Sequence, residues 1–124
     1  MILVDTSVWV EFLKGKQPWL AEMIRLLEEQ EVLAAEPVFA ELLQGALDER
    51  EFRIILGYWR HLPKHNVTEA WIKAGEQSAR HKWFARGVGL LDAVLIVVAR
   101  ESSARIWTED KKLKGILMKG ESYH

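Results

Sequence analysis

The chain contains no cysteine, which excludes a disulfide framework and any thiolate-ligated metal. It has no apolar run approaching the ~20 residues that a membrane-crossing helix needs. No basic region, apolar stretch and cleavage site stand ahead of the first apolar run. A secretory leader is therefore not expected, and the cytoplasm is the expected compartment. A net charge of −1 over 124 residues lacks the basic excess of proteins that coat nucleic acid. That absence does not weigh against an enzyme that gathers acids in a cleft and sets bases on its rim. Linkers, internal repeats and low-complexity segments are missing too, so residues 1–124 read as a single domain large enough for a full core.

Only three prolines punctuate the pattern, and each marks an element boundary. Ile2 to Val4 predicts a buried first strand. A short helix follows with Val8, Trp9, Phe12 and Leu13 inward, ending at Gly15. Pro18 opens a second helix to about Gln30, and Val32 to Ala35 predicts the second strand. Pro37 opens a third helix to Gly45 or Leu47; Asp48 and Glu49 start a fourth that Pro63 stops. His65 to Val67 reads as a short strand, and Thr68 as the cap of a long helix closed by Gly87 and Gly89. Leu90 to Ala99 predicts a helix buried on most sides. Ala104 to Trp107 predicts a further strand and Ile116 to Met118 a last edge strand. Strands alternating with helices, without hairpin turn signals, predict an α/β fold with a mainly parallel sheet of four or five strands covered by helices.

Four acids sit in apolar surroundings where a carboxylate is costly unless neutralised: Asp5 behind Ile2-Leu3-Val4, Glu41 in Phe39-Ala40-Glu41-Leu42-Leu43, Asp92 in Leu90-Leu91-Asp92-Ala93-Val94, and Asp110 after Ile106-Trp107-Thr108. In a parallel α/β sheet, ligands bind beyond the carboxyl ends of the strands. Asp5 and Asp110 follow strands at that end, and Glu41 and Asp92 lie near the starts of helices on the same rim. Carboxylates that share a cleft repel, and a hard divalent cation such as Mg²⁺ or Mn²⁺ relieves the repulsion. The chemistry such a centre supports is phosphodiester hydrolysis. Thr6, Ser7 and Thr108 have the size and polarity to hold a carboxylate or a metal-bound water in place.

The segments Val4-Asp5-Thr6-Ser7-Val8-Trp9, Phe39-Ala40-Glu41-Leu42-Leu43-Gln44-Gly45, Leu91-Asp92-Ala93-Val94-Leu95-Ile96 and Trp107-Thr108-Glu109-Asp110-Lys111 resemble, in order and spacing, the signature blocks of PIN-domain ribonucleases, most of all the short VapC-type toxins. The resemblance implies an α/β/α sandwich, a homodimer, and an RNA-cutting centre in which Asp5, Glu41, Asp92 and Asp110 bind Mg²⁺ or Mn²⁺. It also implies inhibition by a VapB-like antitoxin. The chain departs from the pattern at Leu113, where many relatives carry an aromatic, and at Glu109, an extra acid that leaves open which of Glu109 and Asp110 faces the metal.

Arg80, His81, Lys82 and Arg86 surround Trp83 and Phe84 shortly before Asp92. They read either as favourable cations at a helix C-terminus or, for Arg80, Lys82 and Arg86, as phosphate contacts that guide RNA. Most of the six tryptophans are expected in the core or a subunit interface, Trp9 in the core. His61 and His65 flank Pro63 and do not form a helical zinc pair, and Gly87-Val88-Gly89 lacks the setting of a nucleotide loop. Two other functions compete: a non-catalytic interaction module, and a phosphohydrolase using Asp5 as nucleophile. The second lacks the usual acid two positions on, where Ser7 stands.

Overall fold

The computed structural model describes residues 1–124. Strand β1 (Ile2–Val4) lies at the centre of a parallel sheet, between β2 (Val32–Leu33) and β3 (Arg105–Trp107). Ile2 and Leu3 pair with Val32 and Leu33 on one side; Ile2, Leu3 and Val4 pair with Arg105, Ile106 and Trp107 on the other. All three β1 residues are buried, as a strand covered on both faces requires, and this is why its sequence is an unbroken apolar run.

The sheet is narrower than the expected four or five strands. Each edge is extended by one bridging residue, Lys64 beside Ala34 and Ser122 beside Ile106. At the first edge the Ala34 N–H donates to the Pro63 carbonyl at 2.9 Å, after which the chain leaves the sheet, so the strand expected at 65–67 does not form. At the second edge the strand expected at 116–118 is absent because Ile116 is the last residue of helix α7 (Lys111–Ile116). Leu113 and Ile116, three apart, are the buried residues of that helix, and Asp110 caps it.

Helices α1 (Thr6–Leu13) and α2 (Trp19–Glu28) form the first crossover. Helices α3 (Glu36–Gln44), α4 (Glu49–His61), α5 (Ala70–His81) and α6 (Leu90–Ser102) form the second, which returns past β1 to β3. Because parallel crossovers are right-handed and these two run in opposite lateral directions, they cover opposite faces of the sheet. Helix α6 is buried without a break from Ala93 to Ala99, and α5 packs along it. Helix α5 begins at Ala70 rather than under a Thr68 cap: Glu69 takes the boundary position in the left-handed region (φ 56°), with no capping side chain.

Trp9 is central to the core, with ring centroids 5.7 Å from Phe12 and 5.2 Å from both Phe39 and Tyr58. These aromatic contacts join α1 to α3 and α4, so the helix that starts at Asp5 and the helix that carries Glu41 are held in fixed relation. Trp83 and Trp107 are also buried, whereas Trp71 is half exposed.

Candidate active site

The β1–α1 turn supplies the first acid. Asp5 is 5% exposed, and its backbone N–H is held by the Trp107 carbonyl at 2.9 Å, an extension of the β1–β3 ladder. One carboxylate oxygen accepts from the Thr6 N–H at 2.7 Å, which caps α1. The other accepts from the Thr108 hydroxyl at 2.7 Å and from the Ser7 hydroxyl at 3.0 Å. Both hydroxyls are themselves hydrogen-bonded by backbone: Asp110 N–H donates to Thr108 and Glu109 N–H to Ser7, each at 3.0 Å. With an N–H on the lone-pair side, each hydroxyl has its one proton left to aim at Asp5. Residues 5 to 7 and 108 to 110 are thereby stitched together across the carboxyl ends of β1 and β3.

Asp110 caps α7, accepting from the Lys112 and Leu113 N–H groups through Oδ1 at 2.8 and 3.1 Å. Its other oxygen makes no hydrogen bond. Glu41, one and a half turns into α3, accepts from the Thr6 hydroxyl at 2.7 Å. Adjacent residues of one turn, Asp5, Thr6 and Ser7, thus reach α3 on one side and the β3–α7 turn on the other.

Asp92 lies in the first turn of α6, partly buried, and receives no hydrogen bond. Burial, then the charges of Asp5, Asp110 and Glu41, push its carboxyl up to about 6. The other three expected acids therefore all act electrostatically on Asp92. The four are not packed into a tight cage: no three Asp, Glu or His side chains stand close enough to grip an ion outright.

Glu109 turns away from this group, its carboxylate accepting from Trp19 Nε1 at 3.0 Å. None of the expected basic residues pairs with the four acids. Arg86 bonds the Gly115 carbonyl of α7 at 3.2 Å, and the Lys112 side chain lies over Gly87, whose φ of 84° and lack of a Cβ permit that approach. Arg80 and Lys82 are exposed and make no ion pair with the four acids. Sequence reasoning missed Trp19 and Lys112 as neighbours of this rim; residues 90 positions apart that meet through one hydrogen bond leave no local signal.

Residues 2–116 match the PIN domain family, and the chain belongs to it. Within that family it is similar to the VapC ribonucleases. It is 35% identical over 116 residues to Ribonuclease VapC32 of Mycobacterium tuberculosis, spanning 92% of this chain and 88% of that protein. A shorter match of 38% over 73 residues links it to VapC ribonuclease Mb1587 of Mycobacterium bovis, covering 56% and 54% of the two chains. Among solved structures, the fold is shared with a chain of VapBC2 from Rickettsia felis bound to a promoter DNA fragment (TM-score 0.70, 18% identity, 94% and 93% coverage). It is shared too with a chain of FitAcB from Neisseria gonorrhoeae (TM-score 0.63, 18% identity, 91% and 90% coverage).

Proposed function

We propose that this chain is a metal-dependent endoribonuclease, the toxin of a VapBC-type toxin–antitoxin pair, and that Asp5, Glu41, Asp92 and Asp110 form its Mg²⁺- or Mn²⁺-binding active site. The observation that carries the proposal is the unrelieved carboxyl of Asp92, opposed by three other acids and compensated by no cation or hydrogen-bond donor. The kinship with VapC ribonucleases supports the same reading.

The donor set fits a hard cation: every candidate ligand is a carboxylate oxygen. The looseness of the group also fits, because Mg²⁺ keeps several waters and takes one or two carboxylates directly rather than a full protein cage. When bound, such an ion supplies an activated water and charge stabilisation for phosphodiester hydrolysis.

The residues of the chain do the positioning. Asp5 is fixed by three donors and needs no rearrangement to present its carboxylate. Thr6 aligns Glu41, and the α7 cap leaves one Asp110 oxygen free of hydrogen bonds. Asp92, the acid without a fixed partner, is the group whose charge the ion most relieves. Arg86 and Lys112 place positive charge beside α7, where an approaching phosphate backbone gains from it. Asp5 as a covalent nucleophile gains no support, since both of its oxygens are engaged by donors.

A homodimer, a VapB-like antitoxin and cytoplasmic residence belong to the same proposal, with residues 1–124 acting as one unit. No helix is long and apolar enough to cross a membrane. The test is RNA cleavage with Mg²⁺ or Mn²⁺ by the wild-type chain and by folded Asp5→Asn and Asp92→Asn variants. Loss of cleavage in both variants is expected, and undiminished cleavage by either one refutes the assignment. Mapping the cleaved ends after brief expression then identifies the RNA.

A further inference from the structure

The proposed metal site accounts for four acids on the rim and leaves a fifth, Glu109, without a role. It sits between Thr108 and Asp110, the two residues through which β3 contributes to the cleft. Its backbone N–H donates to the Ser7 hydroxyl, and its carboxylate accepts from Trp19 Nε1 at the start of α2. Its charge is not among those acting on Asp92, although the charge of the next residue, Asp110, is. The two neighbouring acids therefore point to different sides of the turn.

The turn at 108–110 has few other restraints on that flank. Thr108 and Asp110 bond inward, to Asp5 and to the α7 backbone, and Trp19 is the group that holds the turn from α2. Trp19 is in turn packed against the core. Through this contact α2, which carries no proposed ligand, is coupled to the hydroxyl network on Asp5.

We infer that Glu109 is a positioning residue rather than a metal ligand: its bond to Trp19 fixes the turn that presents Thr108 and Asp110 to the cleft. The inference rests on the metal-site reading for its functional consequence, while the restraint on the turn stands apart from it. Removing either partner takes away the turn's tie to α2 and leaves it held only by its bonds to Asp5, Ser7 and the α7 backbone. Glu109→Ala removes the acceptor, Trp19→Phe removes the donor and keeps an aromatic ring, and Glu109→Gln keeps a carbonyl acceptor for Trp19.

Amide hydrogen exchange, read by NMR on the metal-free chain, tests the restraint directly. Exchange of the Glu109 and Asp110 amides is expected to quicken about tenfold in Glu109→Ala and in Trp19→Phe, and to stay near wild type in Glu109→Gln. Unchanged exchange at both amides in both disruptive variants overturns the inference. Mn²⁺ titration of the same proteins tests the consequence: about tenfold weaker binding in Glu109→Ala and Trp19→Phe, with near-normal binding in Glu109→Gln. Binding lost equally in Glu109→Gln and Glu109→Ala but retained in Trp19→Phe identifies Glu109 as a ligand and overturns the positioning role. A wild-type chain that binds no Mn²⁺ at all refutes the metal site instead, and leaves the exchange result to decide on the restraint.

Discussion

Asp5 and Asp92 are both aspartates at helix starts on one rim, yet their surroundings are opposite. Asp5 is deeply buried at the end of the central strand and accepts three hydrogen bonds from Thr6, Ser7 and Thr108. Asp92 accepts none, and burial together with Asp5, Asp110 and Glu41 drives its carboxyl up to about 6. One acid is part of the scaffold as well as of the proposed site. The other is held in an environment that disfavours its charge, and the proposed cation would relieve it.

This contrast is easiest to break with Asn at each position. Both variants should lose metal-dependent RNA cleavage, the largest effect expected, while their stabilities move in opposite directions. Asp5→Asn replaces an oxygen acceptor with an amide donor against hydroxyls whose protons are already aimed at it. The metal-free chain should lose about 1–3 kcal/mol in denaturant melts. Asp92→Asn should instead stabilise the metal-free chain at pH 7 by about 1–2 kcal/mol, after allowance for partial solvent screening. Equal changes of the same sign would show that the two sites do not differ as described.

The pH dependence sharpens the same point. A carboxyl at about 6 in the folded chain lies above its ordinary value of 3.8, so between those values the native state holds more protons than the unfolded state. Stability therefore falls as pH rises through that window and levels off above about 6. Melting across pH 4 to 7 should show this fall in the wild type, less of it in Asp92→Asn, and its recovery near neutral pH on adding Mn²⁺. A metal-free wild type with a profile matching that of Asp92→Asn would contradict it.

On the Asp5 side, Thr108→Val removes a buried hydroxyl that both donates to Asp5 and accepts from Asp110. A loss of about 1–3 kcal/mol is expected in equilibrium unfolding, with about tenfold weaker Mn²⁺ binding by titration. The smallest effect should come from Arg86→Ala, a proposed phosphate contact. Its RNA affinity should become less salt-dependent, the log–log slope shrinking by about one, with turnover at saturating RNA unchanged.

The sequence reveals those parts of the fold that depend on local pattern. An uninterrupted apolar run at a strand position favours burial on both faces, and Ile2 to Val4 is one. The four acids are conspicuous because Glu41 and Asp92 interrupt such runs and Asp5 and Asp110 stand just beyond them. The sheet edges were harder to read, because an apolar triplet such as Ile116-Leu117-Met118 suits a strand as well as the end of a capped helix. The signal that separates the two is Asp110 with Leu113 and Ile116 at i, i+3 spacing, and it lies upstream of the triplet. Thr68 failed as a cap because Glu69 occupies the helix boundary in a left-handed conformation that sequence preference does not anticipate. The pairing of Trp19 with Glu109, or of Thr6 with Glu41, is set by how helices meet in space and has no trace in the linear pattern.

The placement of β1 between β2 and β3 bears on how the protein is made. Chains emerge from the ribosome amino end first, so the strand bearing Asp5 is exposed early and waits for its second neighbour until residue 107 has followed. Until then Thr108 cannot reach Asp5, and Asp110 has yet to join the rim. A chain that stops short of β3 accordingly lacks one whole side of the rim, whatever else has folded.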